Sequence, residues 1–354
     1  MRGKRHLADT FRWSPGEGAD RVAMLSVGLG MAVPILLATS AGRLPLGMVA
    51  TFGAFLVGNV RIGRNLTDQL QALSGIYAAV LGAVIAAALI AGESWWADVG
   101  MIVLACLAAL TGGYSRPMAV ASGRFIVFLI MVFNLMEASP HRGGLLVLIA
   151  LGALWTGALV LAFGSAFRAA GWISIAPPPA APATAATWKF RRLVQTLKSL
   201  PGWQYPLRLA LCLGAASMIG WYWPHHHFHW IALTVTLLCH RQLEALPVKV
   251  TQRALGATLG VAATGLLVSQ TLEPWILVCI IGVLASLGPW LRVRNYLAYT
   301  ASMTPLIILL FDAGRPVELA ILVDRLAATL IGAALVIAAN MLFAKLVASK
   351  MQPA

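Results

Sequence analysis

The residues of this sequence that could do chemistry are charged side chains inside long apolar stretches. Arg325 stands several residues into the last such stretch, next to Asp324. A charge inside a bilayer is costly, so an intramembrane charge is by default a candidate functional residue. Arg325 could bind a substrate carboxylate through two parallel hydrogen bonds, and Asp324 could exchange protons with a gradient. The alternative is structural: Arg325 pairs with Asp324, or with a group on another helix, and holds helices together.

Two further arginines, Arg253 and Arg124, are candidates for substrate binding. Arg253 begins an apolar helix whose N-terminus adds positive charge, so it could gather anions at the inner mouth of a pathway. Arg124 in the fifth apolar stretch and Arg208 at the start of the seventh have the same interpretation. The alternative for all three is a topogenic role at the cytoplasmic headgroups, which arginine side chains reach by snorkelling. For Arg253 the topogenic role is favoured.

A histidine-rich segment, residues 225–229, suggests a metal site at first sight. Consecutive residues project in different directions, however, and no cysteine or acid is nearby in the sequence. The neighbouring Trp221, Trp223 and Trp230 favour instead an interfacial belt of amphipathic rings in an outer loop. We expect no metal, no cofactor and no catalytic residue, because zinc motifs, nucleophile constellations and phosphate-binding loops do not occur in the sequence.

The composition excludes a soluble globular domain. Of the 354 residues, 60% are hydrophobic and 11% are charged, and the mean hydropathy is +0.82. The net charge of +14 comes from basic residues scattered between apolar stretches, so we expect a lipid bilayer and not nucleic acid as the partner. The sequence therefore predicts an all-α polytopic membrane protein.

Twelve apolar stretches predict about twelve transmembrane helices. Six fall in a first membrane half, residues 21–167, and six in a second half, residues 204–346. Between them, residues 168–203 form a Pro/Ala-rich linker that leads into a basic amphipathic segment, as expected at a membrane surface. The stretch from Trp230 is too short to cross alone, because a spanning helix needs about 20 residues. The stretches are Val22–Thr39, Leu46–Val60, Leu73–Ala91, Val99–Gly112, Met118–Met136, Leu145–Phe167, Leu207–Trp223, Trp230–Cys239, Ala254–Ser269, Trp275–Leu291, Tyr296–Phe311 and Ala320–Leu346.

Lysine and arginine residues are concentrated on one side of this topology. If the N-terminus is inside and every stretch crosses the membrane, the only lysine or arginine residues in the outer loops are Arg43, Arg142 and Arg315. The positive-inside bias therefore places the linker and both termini, residues 1–20 and 347–354, in the cytoplasm.

The two halves also resemble each other in sequence. Arg21 and Arg208 each open a half and are followed by similar apolar residues. Three further pairs lie 175 residues apart: Glu137 with Asp312, Ala153 with Ala328, and Gly157 with Gly332. With an even number of stretches per half, both copies have the same orientation, which predicts a parallel repeat about an axis along the membrane normal. A central pathway between the halves would follow.

Small residues at helical spacing indicate close contacts between helices. Gly256 and Gly260 stand four residues apart, as do Ala328 and Gly332. Positions without bulky side chains let two helix backbones approach closely in a membrane, so these four are predicted helix-packing positions.

The segment from His229 to Gly260 resembles the signature of the fusaric acid resistance and aromatic acid exporter family, the FUSC-like integral membrane transporters. The matching parts are His229–Thr234, a basic turn, and Gln252–Gly260, with Gln252, Arg253, Gly256, Thr258 and Gly260 in place. Asp324–Gly332 resembles the last membrane helix of the family. Many members place a large cytoplasmic domain between their halves, whereas this chain has a short linker and resembles a compact form.

The resemblance implies a transporter of the bacterial inner membrane that exports small organic acids, in particular aromatic ones, with coupling to the proton gradient. It implies no enzymatic activity. A passive organic-anion channel is the first alternative, and an enzyme acting on lipid-linked substrates is a more distant one. The expected partners are the bilayer and a small organic anion, with a second copy of the chain or a periplasmic adaptor as further candidates.

Overall fold

A computed structural model describes residues 9–15, 20–58, 65–92, 94–137, 139, 141–172, 186–239, 246–270, 273–311 and 319–351. All regular secondary structure in these ranges is α-helical. Thirteen helices of ten residues or more are found within them: α1 (Arg21–Ser40), α2 (Leu44–Val57), α3 (Leu66–Ile90), α4 (Trp95–Thr111), α5 (Arg116–Glu137), α6 (Arg142–Ala169), α7 (Ala186–Lys198), α8 (Leu200–Tyr222), α9 (His229–Leu238), α10 (Leu246–Val268), α11 (Pro274–Arg294), α12 (Tyr296–Phe311) and α13 (Leu319–Met351).

Each predicted apolar stretch overlaps one helix, and the basic segment of the linker forms α7. Within the described ranges, six helices are long and apolar enough to cross a membrane, namely α1, α3, α5, α6, α11 and α13. The apolar helices α2, α4, α9 and α12 are shorter. The prediction of an all-helical polytopic membrane protein is confirmed, while crossing by all twelve stretches stays a prediction. Arg315, Asp312 and residues 173–185 of the linker lie outside the described residues.

The helices pack into two compact units, and each unit takes helices from both predicted halves. The unit boundaries fall inside α3, α10 and α13, so these helices contribute residues to both units. Unit one contains residues 1–81, 141–179 and 251–322, and unit two contains residues 82–140, 180–250 and 323–354.

In unit one, α1 packs against α2, α6 and α11. Helix α2 also packs on α6, and α12 contacts both α11 and α2. The rings of Phe52 and Phe311 join α2 to α12 edge to face, with centroids 5.2 Å apart. A Cβ added at Gly256 would lie 2.8 Å from the Cβ of Thr300, and one at Gly260 would lie 2.6 Å from a Cβ on the same helix, α12. These two glycines therefore set the close approach of α10 to α12.

In unit two, α8 packs against α4, α7 and α9, while α4 and α9 both pack on α5. Helix α13 meets α8 where Arg208 donates a hydrogen bond from Nη1 to Asn340 Oδ1 at 2.6 Å. It meets α9 at Gly332, where an added Cβ would lie 2.9 Å from the Cβ of Thr234. Every residue of α9 from Trp230 to Thr236 is buried. Helix α9 is therefore an internal element of unit two.

The two units repeat one packing pattern when helices are numbered within their own half. Unit one joins the first, second and sixth helices of the first half (α1, α2, α6) to the fourth and fifth of the second half (α11, α12). Unit two joins the first, second and sixth helices of the second half (α8, α9, most of α13) to the fourth and fifth of the first half (α4, α5). The contacts α1–α2, α1–α11, α11–α12 and α2–α12 correspond to α8–α9, α4–α8, α4–α5 and α5–α9.

Candidate functional site

Two charged residues are buried side by side near the start of α13. Asp324 is 6% exposed and Arg325 is 1% exposed. Both belong to unit two, and successive residues of a helix point about 100° apart. The Asp324 side chain accordingly contacts the loop between α8 and α9, and the Arg325 side chain contacts α9 itself.

The Asp324 carboxylate holds the loop between α8 and α9. Oδ1 lies 2.8 Å from His226 Nδ1, and Oδ2 accepts a hydrogen bond from the backbone N–H of His227 at 2.9 Å. Oδ2 also lies 3.1 Å from His227 Nδ1. An ionised carboxylate only accepts hydrogen bonds, so the Nδ1 atom of each imidazole carries the proton in this arrangement. Both carboxylate oxygens are therefore occupied by one short loop.

The Arg325 guanidinium stacks on the first tryptophan of α9. Its central carbon lies 3.8 Å from the centroid of the Trp230 ring, and Trp230 is 2% exposed. A cation over the face of a desolvated indole is attracted by the negative charge of the ring face. The His229 ring lies 4.9 Å from the Trp230 ring. The result is a contiguous cluster of Asp324, Arg325, Trp230 and the loop histidines, which we call the α13 charge cluster.

A cavity of about 330 Å³ adjoins this cluster in unit two. His226 both lines the cavity and contacts Asp324. Asp98 on α4 is a further lining residue, and it accepts hydrogen bonds from Ser217 Oγ at 3.0 Å and Trp221 Nε1 at 2.7 Å. The other lining residues are Met101, Phe133, Asn134, Glu137, Ala216, Gly220, Pro224, Phe228, His229 and Ala232. The cavity thus combines aromatic walls, two carboxylates and two imidazoles.

The remaining predicted site residues lie elsewhere. Arg253 is buried in unit one, beside Gln252, whose Nε2 donates to the backbone oxygen of Thr10 at 2.9 Å. Arg124 is half-buried on α5, roughly 14 Å along the helix axis from the cavity residue Phe133. Ala328 is fully buried on α13. Of the predicted substrate and proton residues, the structure brings together Arg325 and Asp324.

Sequence reasoning missed the partners of Asp324. Among the described residues, no group of three or more His, Cys, Asp or Glu side chains is placed to hold a metal ion. His226 and His227 instead bind a carboxylate that is distant in sequence. One available signal was topological: the histidine loop and the start of α13 are predicted to lie at the same, outer end of their helices. Asp98 was missed for a similar reason, since its partners Ser217 and Trp221 lie on another helix.

Comparison with known proteins supplies one match. The family model described as fusaric acid resistance protein-like matches residues 215–339, roughly a third of the chain. No curated protein and no solved structure matches the chain. The matched region contains the loop between α8 and α9, all of α9, and Asp324 and Arg325 on α13. The family match therefore covers the part of the chain that carries the α13 charge cluster, and this part is similar to fusaric acid resistance protein-like proteins.

Proposed function

We propose that the protein is a secondary transporter of the bacterial inner membrane that exports small organic acids, in particular aromatic acids. The observation that carries this proposal is the α13 charge cluster, which buries an arginine and an aspartate beside a cavity in a polytopic membrane protein. The family description supports it, because it concerns resistance to an organic acid. Export of such a compound is a direct route to resistance.

The cavity suits a ligand of about one ring. Its volume of about 330 Å³ lies at the lower end of the roughly 300–1,000 Å³ that small-molecule sites enclose. Phe133, Trp221 and Phe228 line it, and flat aromatic side chains stack on aromatic ligands in offset or edge-to-face geometry. The volume and the aromatic lining therefore favour a single-ring compound over a large amphiphile.

Arg325 supplies the attraction for the substrate carboxylate in this proposal. The face of Trp230 fixes the plane of the guanidinium, so that its N–H groups can be presented in a set direction. Asp98 and Glu137 have the opposite effect, because carboxylates in the cavity wall repel an organic anion. In this proposal, attraction by Arg325 binds the anion, and repulsion by the carboxylates of the cavity favours its release.

Asp324 is the proposed proton-coupling residue. Its carboxylate contacts two imidazoles that are 49% and 43% exposed, so protons from the outer solution can reach the cluster through His226 and His227. Protonation of an imidazole or of the carboxylate changes the charge next to Arg325. This change would alter the affinity for the substrate anion and couple its movement to the proton gradient.

The proposed topology has both termini in the cytoplasm and the cavity toward the outside. Asp98, Glu137, Trp221 and His226 come from four loops or helix ends that the charge bias predicts to be outer, and all four line one cavity. The matching contacts of the two units support a parallel repeat of two six-helix halves, with twelve crossings.

The repeat also assigns the charge cluster to one unit. The offset of 175 residues places Ile149 and Ala150 opposite Asp324 and Arg325. Unit one would therefore have no second copy of this site, and each chain would carry one transport site.

The test is uptake of radiolabelled aromatic and aliphatic acids into inverted membrane vesicles, with and without a pH gradient. We expect uptake of at least one aromatic acid to require the gradient and to fall to background in R325M. The matched control is R168M, which removes the arginine that donates to Gln69 Oε1 in unit one. Equal uptake by R325M and wild type would remove Arg325 from the mechanism. Uptake that follows membrane voltage and ignores the pH gradient would establish the passive channel instead.

A further inference from the structure

Helix α7 separates apolar from basic side chains around its axis. Four of its apolar residues recur at the spacing of one helix face, namely Phe190, Leu193, Val194 and Leu197, while Trp188 lies on the basic side, under the guanidinium of Arg192. Its basic residues occupy other positions, namely Lys189, Arg191, Arg192 and Lys198, and the helix contains no acidic residue. A helix with these properties is suited to a membrane surface and not to a membrane interior.

The rotation of α7 about its own axis is fixed by contacts within unit two. Thr196 packs against the turn that follows α4, where a Cβ added at Gly113 would lie 2.9 Å from Thr196 Cγ2. Trp203 on α8 donates a hydrogen bond from Nε1 to the backbone oxygen of Leu197 at 2.8 Å. Ser199 then caps α8 by accepting from the backbone N–H of Gly202 at 3.3 Å. These contacts determine which side chains of α7 face away from unit two.

The face that points away from unit two is apolar at its centre and basic at its edges. Phe190 is 62% exposed and Leu197 is 41% exposed. On a helix of 3.6 residues per turn, Lys189 falls to one side of this pair and Arg191 and Lys198 fall to the other. Exposed apolar side chains with cations on both sides match the layered chemistry of a leaflet, in which acyl chains lie beneath phosphate groups.

We propose that α7 is an interfacial helix that binds anionic phospholipids of the cytoplasmic leaflet. Phe190 and Leu197 insert between acyl chains, while Lys189, Arg191 and Lys198 contact lipid phosphates. The positive charge and the absence of acidic residues in α7 favour an anionic headgroup over a zwitterionic one. This inference does not depend on the transported substrate. It does connect lipid to transport, because α7 packs on α4 and α8, and both helices line the cavity.

The test is native mass spectrometry of the full chain in detergent, titrated with phosphatidylglycerol or with phosphatidylcholine. In R191Q/K198Q we expect affinity for phosphatidylglycerol to fall by roughly 25-fold, at about fivefold per basic residue, with phosphatidylcholine binding unchanged. The matched control R43Q/R142Q removes the same charge from predicted outer positions and should leave phosphatidylglycerol affinity within about twofold of wild type. In F190S/L197S we expect weaker binding of both lipids, because the apolar contact is shared.

Three results would overturn the proposal. Unchanged phosphatidylglycerol affinity in R191Q/K198Q would show that α7 does not contact the headgroups. An equal loss in R43Q/R142Q would show that lipid preference follows the overall charge of the protein and not the placement of α7. Retention of an acidic protein by α7, with no preference among lipids, would likewise assign this face to a different partner.

Discussion

Replacing Asp324 with leucine should release the loop between α8 and α9. Leucine has the same number and branching of side-chain heavy atoms as aspartate but no polar atoms, and it is compatible with the helix. The carboxylate holds the loop through the Nδ1 atom of His226 and through both the backbone N–H and the Nδ1 atom of His227. All three contacts are lost in D324L, so we expect the loop to open more often while α13 stays formed.

The size of the effect follows from the exposure of each partner. The imidazoles are 49% and 43% exposed, so water replaces their contacts and each contributes about 0.5 kcal/mol. The backbone N–H of His227 binds a charged group, and this hydrogen bond contributes about 1.5 kcal/mol, the lower end of the range for such bonds. Together they stabilise the closed loop by about 2.5 kcal/mol, which corresponds to a roughly 70-fold change in the opening equilibrium.

Hydrogen–deuterium exchange of peptides that cover residues 223–230 measures this equilibrium, because exchange of protected amides reports local opening. We expect D324L to exchange roughly 70-fold faster than wild type at the His227 amide. D324N keeps an oxygen that can accept from that amide, so its exchange should accelerate by about fivefold, the effect of roughly 1 kcal/mol. Wild-type exchange in D324L would refute the conclusion that Asp324 holds the loop.

Two further predictions concern stability and are measured as melting temperature of the purified protein. Gly332→Ala should destabilise unit two by about 1–3 kcal/mol, because the Cβ of the new alanine would lie 2.9 Å from the Cβ of Thr234. The matched control is Gly214→Ala, whose added Cβ would meet no atom within 4 Å. An equal melting temperature for the two variants would contradict the close packing of α13 on α9. Asn340→Leu removes an acceptor from the buried Arg208 and should cost about 1.5–3 kcal/mol. A wild-type melting temperature would show that this hydrogen bond does not stabilise unit two.

Helix positions could be predicted from the sequence because apolar length alone defines them in a membrane protein. Helix starts were less accurate where polar residues form the first turn. Helix α3 begins at Leu66, seven residues before the predicted Leu73. Gln69 in that turn is fully buried and donates from Nε2 to the backbone oxygen of Val160 at 2.7 Å. A hydropathy profile assigns such a glutamine to a loop, although a hydrogen-bond acceptor on another helix satisfies its side-chain amide.

The candidate site could be predicted in part. Arg325 and Asp324 were identified because charges inside an apolar stretch are expensive and must have partners. The identity of those partners depends on which helices pack together, and hydropathy does not determine this. His226, His227 and Trp230 gather around α13 only because α8, α9 and α13 share a unit. Local sequence patterns likewise do not predict that each unit contains helices from both halves.

Binding of an aromatic acid to the purified protein tests most directly whether Arg325 holds the substrate carboxylate. Titration calorimetry would compare wild type with R325M and with R168M. Loss of two hydrogen bonds between a guanidinium and a carboxylate costs roughly 3–4 kcal/mol, so we expect the Kd to rise by about 100-fold or more in R325M. R168M should bind as wild type does. A Kd in R325M equal to that of wild type would contradict the assignment of the α13 charge cluster as the substrate site.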